Sequence, residues 1–220
     1  MNVLIVSPHM DDETIGAGGT ILKYIDSGEK VYWLNISNTK EEYGFSKEIC
    51  KKREEQYTKV KKRLKITDAV DLKMQPARLE TYDSGKVIEQ IGSYINKIKP
   101  EVIITTNPGD VHSDHATVFS WVKAFSKSFR NPWLKKFLLM EIVSETDFSL
   151  SQGSFVPNYF VDISDYMDEK LEIVKVYEEE IGEHPFPRSI ENIKAVALHR
   201  GAVAGVKYAE AFMLLREIEK

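Results

Sequence analysis

Val3-Leu4-Ile5-Val6-Ser7-Pro8-His9-Met10-Asp11-Asp12-Glu13 is the stretch on which the reading of the fold turns. Its first four residues form a short, continuous apolar run rich in β-branched side chains, as expected of a strand buried on both faces in a parallel sheet. Polar chemistry follows at once. From residue 14 onward Ile15, Ile21, Leu22 and Ile25 keep a helical spacing that stops near Gly28, and Val31-Tyr32-Trp33-Leu34-Asn35-Ile36 reads as the next strand. Strand, helix and strand in this order form the βαβ unit of a parallel sheet.

The alternation continues outward. Residues 45–64 are helical in pattern and heavily charged, with no Pro and no Gly beyond Gly44 to interrupt them, and residues 69–72 suggest a further strand. A helix is expected over 85–98, ending at Pro100, before Glu101-Val102-Ile103-Ile104-Thr105-Thr106, the clearest internal strand. Beyond it the pattern predicts a helix over 113–125, an apolar stretch over 137–143, a short strand over 159–163, and helices over 164–180, 189–197 and 208–218. Alternating strands and helices predict an α/β fold, a Rossmann-like, mainly parallel sheet flanked by helices. With no linker, internal repeat or low-complexity segment, residues 1–220 are expected to form a single domain.

The chain has 220 residues, 42% hydrophobic and 29% charged, with 30 basic against 34 acidic side chains and a formal net charge of −4. A chain of this length can bury a core without disulfide or metal staples. The single cysteine, Cys50, excludes an intramolecular disulfide and any multi-cysteine zinc site, so a bound metal would have to be held by His and carboxylates. No Lys/Arg-dense block is interleaved with aromatics, which argues against nucleic acid as a partner. No apolar run approaches the roughly 18 residues that span a bilayer, so no transmembrane segment is expected. The N-terminal stretch lacks the basic region of a signal peptide, and the cytoplasm is the expected compartment.

Three of the five histidines fall in two polar clusters, each just after a predicted buried strand and just before a predicted helix. In an open parallel sheet the ligand site lies at the carboxyl ends of the strands, where neighbouring loops part in opposite directions. His9-Met10-Asp11-Asp12-Glu13 and Asp110-Val111-His112-Ser113-Asp114-His115 are therefore expected to face one crevice. Imidazole and carboxylate ligands without thiolate suit zinc. His9 and Asp12 can point toward one ion from a strand-to-helix turn, and His115 can supply a third ligand. Three protein ligands leave a coordination position open, as in a catalytic zinc site. Asp11 and Asp114 are then free to take a proton or to fix a histidine tautomer. Taken alone, the acidic run Asp11 to Glu13 could serve only the helix dipole, and Ser113 could serve only as a cap. The joint occurrence of both clusters at strand ends favours the metal site.

Pro8-His9-Met10-Asp11-Asp12-Glu13, followed by Gly16-Ala17-Gly18-Gly19-Thr20 and later by His112-Ser113-Asp114-His115, resembles the PIG-L/LmbE family of zinc-dependent N-deacetylases. Only Met10, where the family usually has proline, departs from the first motif, and that position is not a ligand. Arg53-Glu54, Lys99-Pro100 and Tyr208-Ala209-Glu210-Ala211-Phe212 extend the similarity along the chain. The resemblance implies one Zn2+ per chain bound by His9, Asp12 and His115, with Asp11 as general base, a protonated His112 stabilising the oxyanion, and Asp114 orienting a histidine. It implies hydrolysis of the N-acetyl group of an amino sugar or its conjugate, an N-acetylglucosamine-like small molecule. Two other readings remain: a two-metal phosphoesterase, which abundant Asp would also serve, and a non-catalytic sugar-binding α/β domain.

Arg53 and Arg78 are candidate contacts for sugar hydroxyls or an anionic aglycone, and Asp110 either binds substrate or turns its loop. The glycines from Gly16 to Gly19 lie too far beyond the strand end for a dinucleotide-binding turn, and are read as close packing between helix and sheet. His184 is read as a loop residue near the rim, His199 as a partner of a helix C-terminus, and Cys50 as inert. Pocket shape is expected to depend on loops 38–46, 75–84 and 148–158. A homo-oligomer is compatible with such a chain, although no stretch names an interface.

Overall fold

The sheet is built around β1 (Asn2–Ser7), whose residues Val3 to Val6 are fully buried. In the computed structural model, which describes residues 1–150 and 155–219, the chain continues through α1 (Asp12–Asp26), β2 (Lys30–Ser37), α2 (Lys47–Arg63), β3 (Asp68–Met74), α3 (Ser84–Ile98) and β4 (Val102–Thr106). It then forms α4 (Ser113–Val122), β5 (Lys136–Met140), β6 (Tyr159–Asp162), α5 (Met167–Val174), α6 (Ile190–Ala204) and β7 (Ala209–Glu217). Of loop 148–158, residues 151–154 lie outside the described residues. The seven strands make one sheet in the order β3-β2-β1-β4-β5-β7-β6, parallel from β3 to β5 and antiparallel at β7 and β6. This is a single-domain, mainly parallel α/β fold. Among the described residues no helix is long and apolar enough to cross a membrane.

Strand alternation sorts the core into two layers. Val3, Ile5 and Trp33 face one side of the sheet and pack with Ile15, Ala17 and Ile21 of α1 and Val60 of α2. Leu4, Val6 and Ile36 face the other side and meet Ile91 and Ile95 of α3 and Val118 and Trp121 of α4. Each such aliphatic side chain contributes roughly 1.5–3 kcal/mol when fully buried. That is why the central strands read as unbroken apolar runs. A smaller cluster, including Ile163, Met167, Leu171 and Ile193, seats α5 and α6 beside the sheet.

Chain order reverses between β1 and β4. From β1 the chain passes to β2 on one side, while β4 pairs with β1 on the other, so the loops after β1 and β4 diverge from a common crevice. The two polar clusters lie in those loops.

Three helix expectations are corrected. Residues 208–218 are not helical: residues 209–217 form β7, which lies between β5 and β6. Ala, Glu, Met, Leu and Arg favour helix locally, but two open strand edges offer this backbone a complete set of partners, and tertiary pairing overrides propensity. The helix expected over 164–180 is confined to α5, with a separate 3-10 turn at Glu178–Glu180. α6 runs beyond residue 197 until Gly205, at φ 74°, supplies the left-handed end.

Strand β7 also pins α1. The buried Glu210 carboxylate accepts the backbone N–H groups of Gly19 (2.8 Å) and Thr20 (2.7 Å), and Lys170 Nζ donates to both Glu210 Oε1 (2.7 Å) and the Ile15 carbonyl (2.7 Å). The glycines of α1 serve close packing, as read from sequence. A Cβ on Gly16 would fall 2.6 Å from Ile142 Cδ1, and one on Gly19 would fall 2.7 Å from Ile163 Cβ, an atom held rigidly by its own backbone. Gly19→Ala is therefore expected to destabilise the protein by about 2 kcal/mol in urea unfolding, overriding the roughly 1 kcal/mol that alanine gains in a helix. A neutral or stabilising effect would contradict this packing.

Candidate active site

Between β1 and α1 the chain makes a strained turn. Asp11 has φ 121°, a region that L-residues rarely occupy and that costs of order 1–3 kcal/mol. The turn is held from within: the Asp11 carbonyl accepts from Thr14 N (3.0 Å) and Ile15 N (2.8 Å), and the Asp11 N–H donates to Glu13 Oε2 (3.0 Å). Glu13 is fully buried, and its other oxygen accepts from Thr14 Oγ1 (2.6 Å) and the Tyr177 hydroxyl (2.8 Å). Burial pushes the Glu13 carboxyl up to about 7, against the pull of these hydrogen bonds. The third acid of the motif is thus spent on backbone geometry, which frees Asp11 and Asp12 to face the crevice.

Asp12 Oδ2 accepts the His9 N–H (3.0 Å) and lies 3.5 Å from both His9 Nδ1 and His115 Nε2. Burial opposes its charge, but His115 and His9 hold its carboxyl well below the usual carboxylate range. Asp12 Oδ1 is buried without a hydrogen-bond partner in the protein. One ligand atom each from His9, Asp12 and His115 lies within 4.8 Å of the others. Two imidazole nitrogens and one carboxylate with an unpartnered oxygen form a donor set that fits a metal ion of the zinc type. A second group, His9, His112 and Asp114, also satisfies the spacing. Its acceptors are engaged: His112 Nδ1 takes the Asp114 N–H (3.1 Å), and Asp114 Oδ2 takes the Ala77 N–H (2.7 Å).

Each candidate histidine ligand has a carboxylate behind it. His115 Nδ1 meets Asp110 Oδ2 at 2.7 Å, and Asp110 is steadied by Thr146 Oγ1 (2.9 Å) and Asn107 Nδ2 (3.2 Å). His9 Nε2 meets Asp114 Oδ2 at 3.0 Å, and Asp114 also accepts from Leu79 N (3.2 Å). Burial disfavours the imidazolium at both rings, but the acids prevail, Asp114 and Asp12 lifting His9 to about 9, and Asp12 and Asp110 lifting His115 to about 10. His112 behaves oppositely: burial, then the neighbouring His9 and His115, push it down to about 4, a direction that favours the neutral ring over the protonated one expected from sequence. Its Nδ1 caps α4, which leaves the ring proton on Nε2.

The crevice opens into a cavity of about 290 Å3 lined by His9, Asp11 and His112 on one side and by Asn38, Phe45 and Arg53 on another. Arg53 is already ion-paired with Glu180. Arg78 is exposed and is not among the lining residues, and Asp110 lies behind His115 rather than on the wall. His184 and His199 are exposed and line none of this cavity. Sequence reasoning missed Arg188, just before α6, which donates to Asp11 Oδ2 (2.5 Å), Ser144 Oγ (2.7 Å) and Glu145 Oε1 (3.2 Å). The only signal for it was the proline-bounded stretch His184-Pro185-Phe186-Pro187 that precedes it. Burial pushes the Asp11 carboxyl up to about 8, opposed by Arg188 and reinforced by Asp12.

These charge states would set the pH dependence of metal uptake at His9, Asp12 and His115. His9 and His115, at about 9 and about 10, hold protons at neutral pH that a metal must displace. Zinc affinity is therefore expected to climb between pH 6 and 8, by about tenfold per pH unit for each proton displaced. Calorimetric titration at several pH values checks this, and a flat profile would contradict the assigned proton inventory.

Known proteins agree with this architecture. A diacetylchitobiose deacetylase of Thermococcus kodakarensis is 29% identical over 226 residues, covering 94% of this chain and 80% of that protein. A probable N-acetyl-alpha-D-glucosaminyl L-malate deacetylase 2 of Bacillus cereus is 34% identical over 122 residues, covering 52% of this chain and 56% of the relative. The structure of the N,N'-diacetylchitobiose deacetylase from Pyrococcus horikoshii superposes with a TM-score of 0.76 at 22% identity, covering 98% of this chain and 84% of that one, which establishes a shared fold. Residues 4–126, which carry both polar clusters, match the family described as PIG-L: GlcNAc-PI de-N-acetylase. The chain belongs to the PIG-L family.

Proposed function

We propose that this chain is a zinc-dependent N-deacetylase that hydrolyses the acetamide of an N-acetylated amino sugar or its conjugate, releasing acetate and a free amine. The relatives named as deacetylases support the reaction class. The observation that carries the reading is the convergence of His9, Asp12 and His115, with Asp12 Oδ1 unpartnered, beside an Asp11 carboxylate that none of the three ligands requires. Held by these three residues, one zinc ion per chain would supply Lewis-acid polarisation of the acetamide carbonyl.

The remaining work belongs to the chain. Arg188 engages one oxygen of Asp11, and the other takes the proton of the attacking water. A carboxyl held near neutrality is suited both to accepting that proton and to returning it to the departing amine. Neutral His112, with its proton on Nε2, donates a hydrogen bond to the oxyanion that develops at the carbonyl. Asp114 orients His9 and Asp110 orients His115, each leaving the opposite ring nitrogen directed toward Asp12. Residues 1–220 act as one deacetylase unit in this reading, and the lone thiol suits a cytoplasmic setting.

Asp11→Asn separates this reading from its rivals, because asparagine keeps the shape of the side chain but cannot accept a proton as a carboxylate does. The variant is expected to retain about one zinc by metal analysis and to lose about a thousandfold in acetate release from N-acetylhexosamines. Unchanged activity would remove Asp11 from the mechanism. Two tightly held ions per chain would favour phosphoester hydrolysis instead.

A further inference from the structure

We infer that Glu180 makes this pocket selective for amino sugars whose other substituents carry no negative charge, by engaging both arginines that line it. The inference rests on the deacetylase reading above. Arg53 and Arg188 share the cavity wall with Glu180. Glu180 Oε1 pairs with Arg53 Nη2, and Glu180 Oε2 lies 3.5 Å from Arg188 Nη1. Arg188 is further committed to Asp11 at 2.5 Å and Glu145 at 3.2 Å, and Arg53 also donates to Gln56 Oε1 at 3.4 Å. Two cationic side chains thus face three carboxylates, which leaves no spare positive charge for an anionic group.

Glu180 is also held in place. Its neighbours Glu178 and Glu179 both pair with Lys52 of α2, Gln56 donates to Glu179 Oε2 (2.8 Å), and Gln56 also donates to the Val176 carbonyl (3.0 Å). A substrate carboxylate or phosphate that recruited Arg53 would have to displace the Glu180 carboxylate, leaving it only the longer contact with Arg188, which Asp11 and Glu145 already engage. The arginine side chains are only 18% and 13% exposed, so solvent screens that conflict weakly. A neutral glycoside meets no such conflict, because its hydroxyls can donate to the carboxylates and accept from the arginines.

Steady-state acetate release by the zinc-loaded enzyme tests this with matched methyl and carboxymethyl glycosides of N-acetylglucosamine, which differ in one charge. The wild type is expected to favour the methyl glycoside by about tenfold or more in kcat/KM. Glu180→Gln is expected to erase most of that preference, mainly through a lower KM for the carboxymethyl glycoside, and Glu180→Asp to retain part of it. Taking the ratio of two substrates cancels any common effect on the chemical step. A wild type that treats the two glycosides alike or prefers the anionic one overturns the inference, and this readout does not depend on the variants folding. An unchanged ratio in folded Glu180→Gln also overturns it. Acetate release from both substrates with the wrong preference leaves the deacetylase reading standing, whereas none from either overturns both.

Discussion

The reversed backbone at Asp11 is the constraint on which the site depends. A strand that entered its helix through an ordinary turn would not present two adjacent acids to the same crevice. At φ 121° Asp11 and Asp12 both reach it, and the cost is offset by hydrogen bonds to the Asp11 carbonyl and N–H. The Glu13 bond is shielded from water, which strengthens it relative to a contact at the surface. Glu13 in turn needs the Tyr177 hydroxyl, which lies far along the chain between α5 and the Glu178–Glu180 turn. The local geometry of the first loop is therefore sustained by a distant segment.

A second constraint keeps the turn aimed. The Glu210–Lys170 pair grips α1 at its middle while the side chains of Ile142, Met140 and Ile163 close on its glycines. A buried ion pair is a poor source of stability in general, because desolvation offsets the attraction. Here both members also bind backbone groups of α1, so the pair fixes the helix against rotation and translation. Three imidazoles converge below that helix, with ring centroids 4.4 to 5.5 Å apart. Two are drawn toward carboxylates and the third is kept neutral, which gives one small cluster both ligand-like and donor-like histidines.

The candidate metal cluster was legible because its residues sit next to strand ends, where a parallel sheet places ligands whatever the remaining chain does. That rule gathered His9, Asp11, Asp12, His112, Asp114 and His115 into one crevice, and ligand chemistry with the family resemblance picked His9, Asp12 and His115 from among them. Asp110 was legible as a neighbour of the site but not as the partner of His115, because a loop residue's direction depends on contacts such as Thr146 and Asn107. Neither Arg188 nor Glu180 was read as a site residue. An arginine in a proline-bounded loop and a run of three glutamates look like solvated surface; the docking of the 3-10 turn against α2 gives the glutamates their partners, and the packing of the loop before α6 against Asp11, Ser144 and Glu145 gives Arg188 its own. Residues 209–217 misled for a related reason: their local preference is helical, and the strand exists because β5 and β6 stand ready on either side.

The sequence by itself determined the mainly parallel sheet, its switch point, the absence of any thiolate metal site and the two polar clusters that meet in the crevice. Those follow from local periodicity and from motif placement, which operate over a few residues. The tertiary structure alone decided which acid supports which histidine, that His112 is neutral, that Glu13 is structural, and that the cavity arginines are already engaged. Each of these depends on burial and on partners more than a few residues away, and distance along the chain carries no information about either.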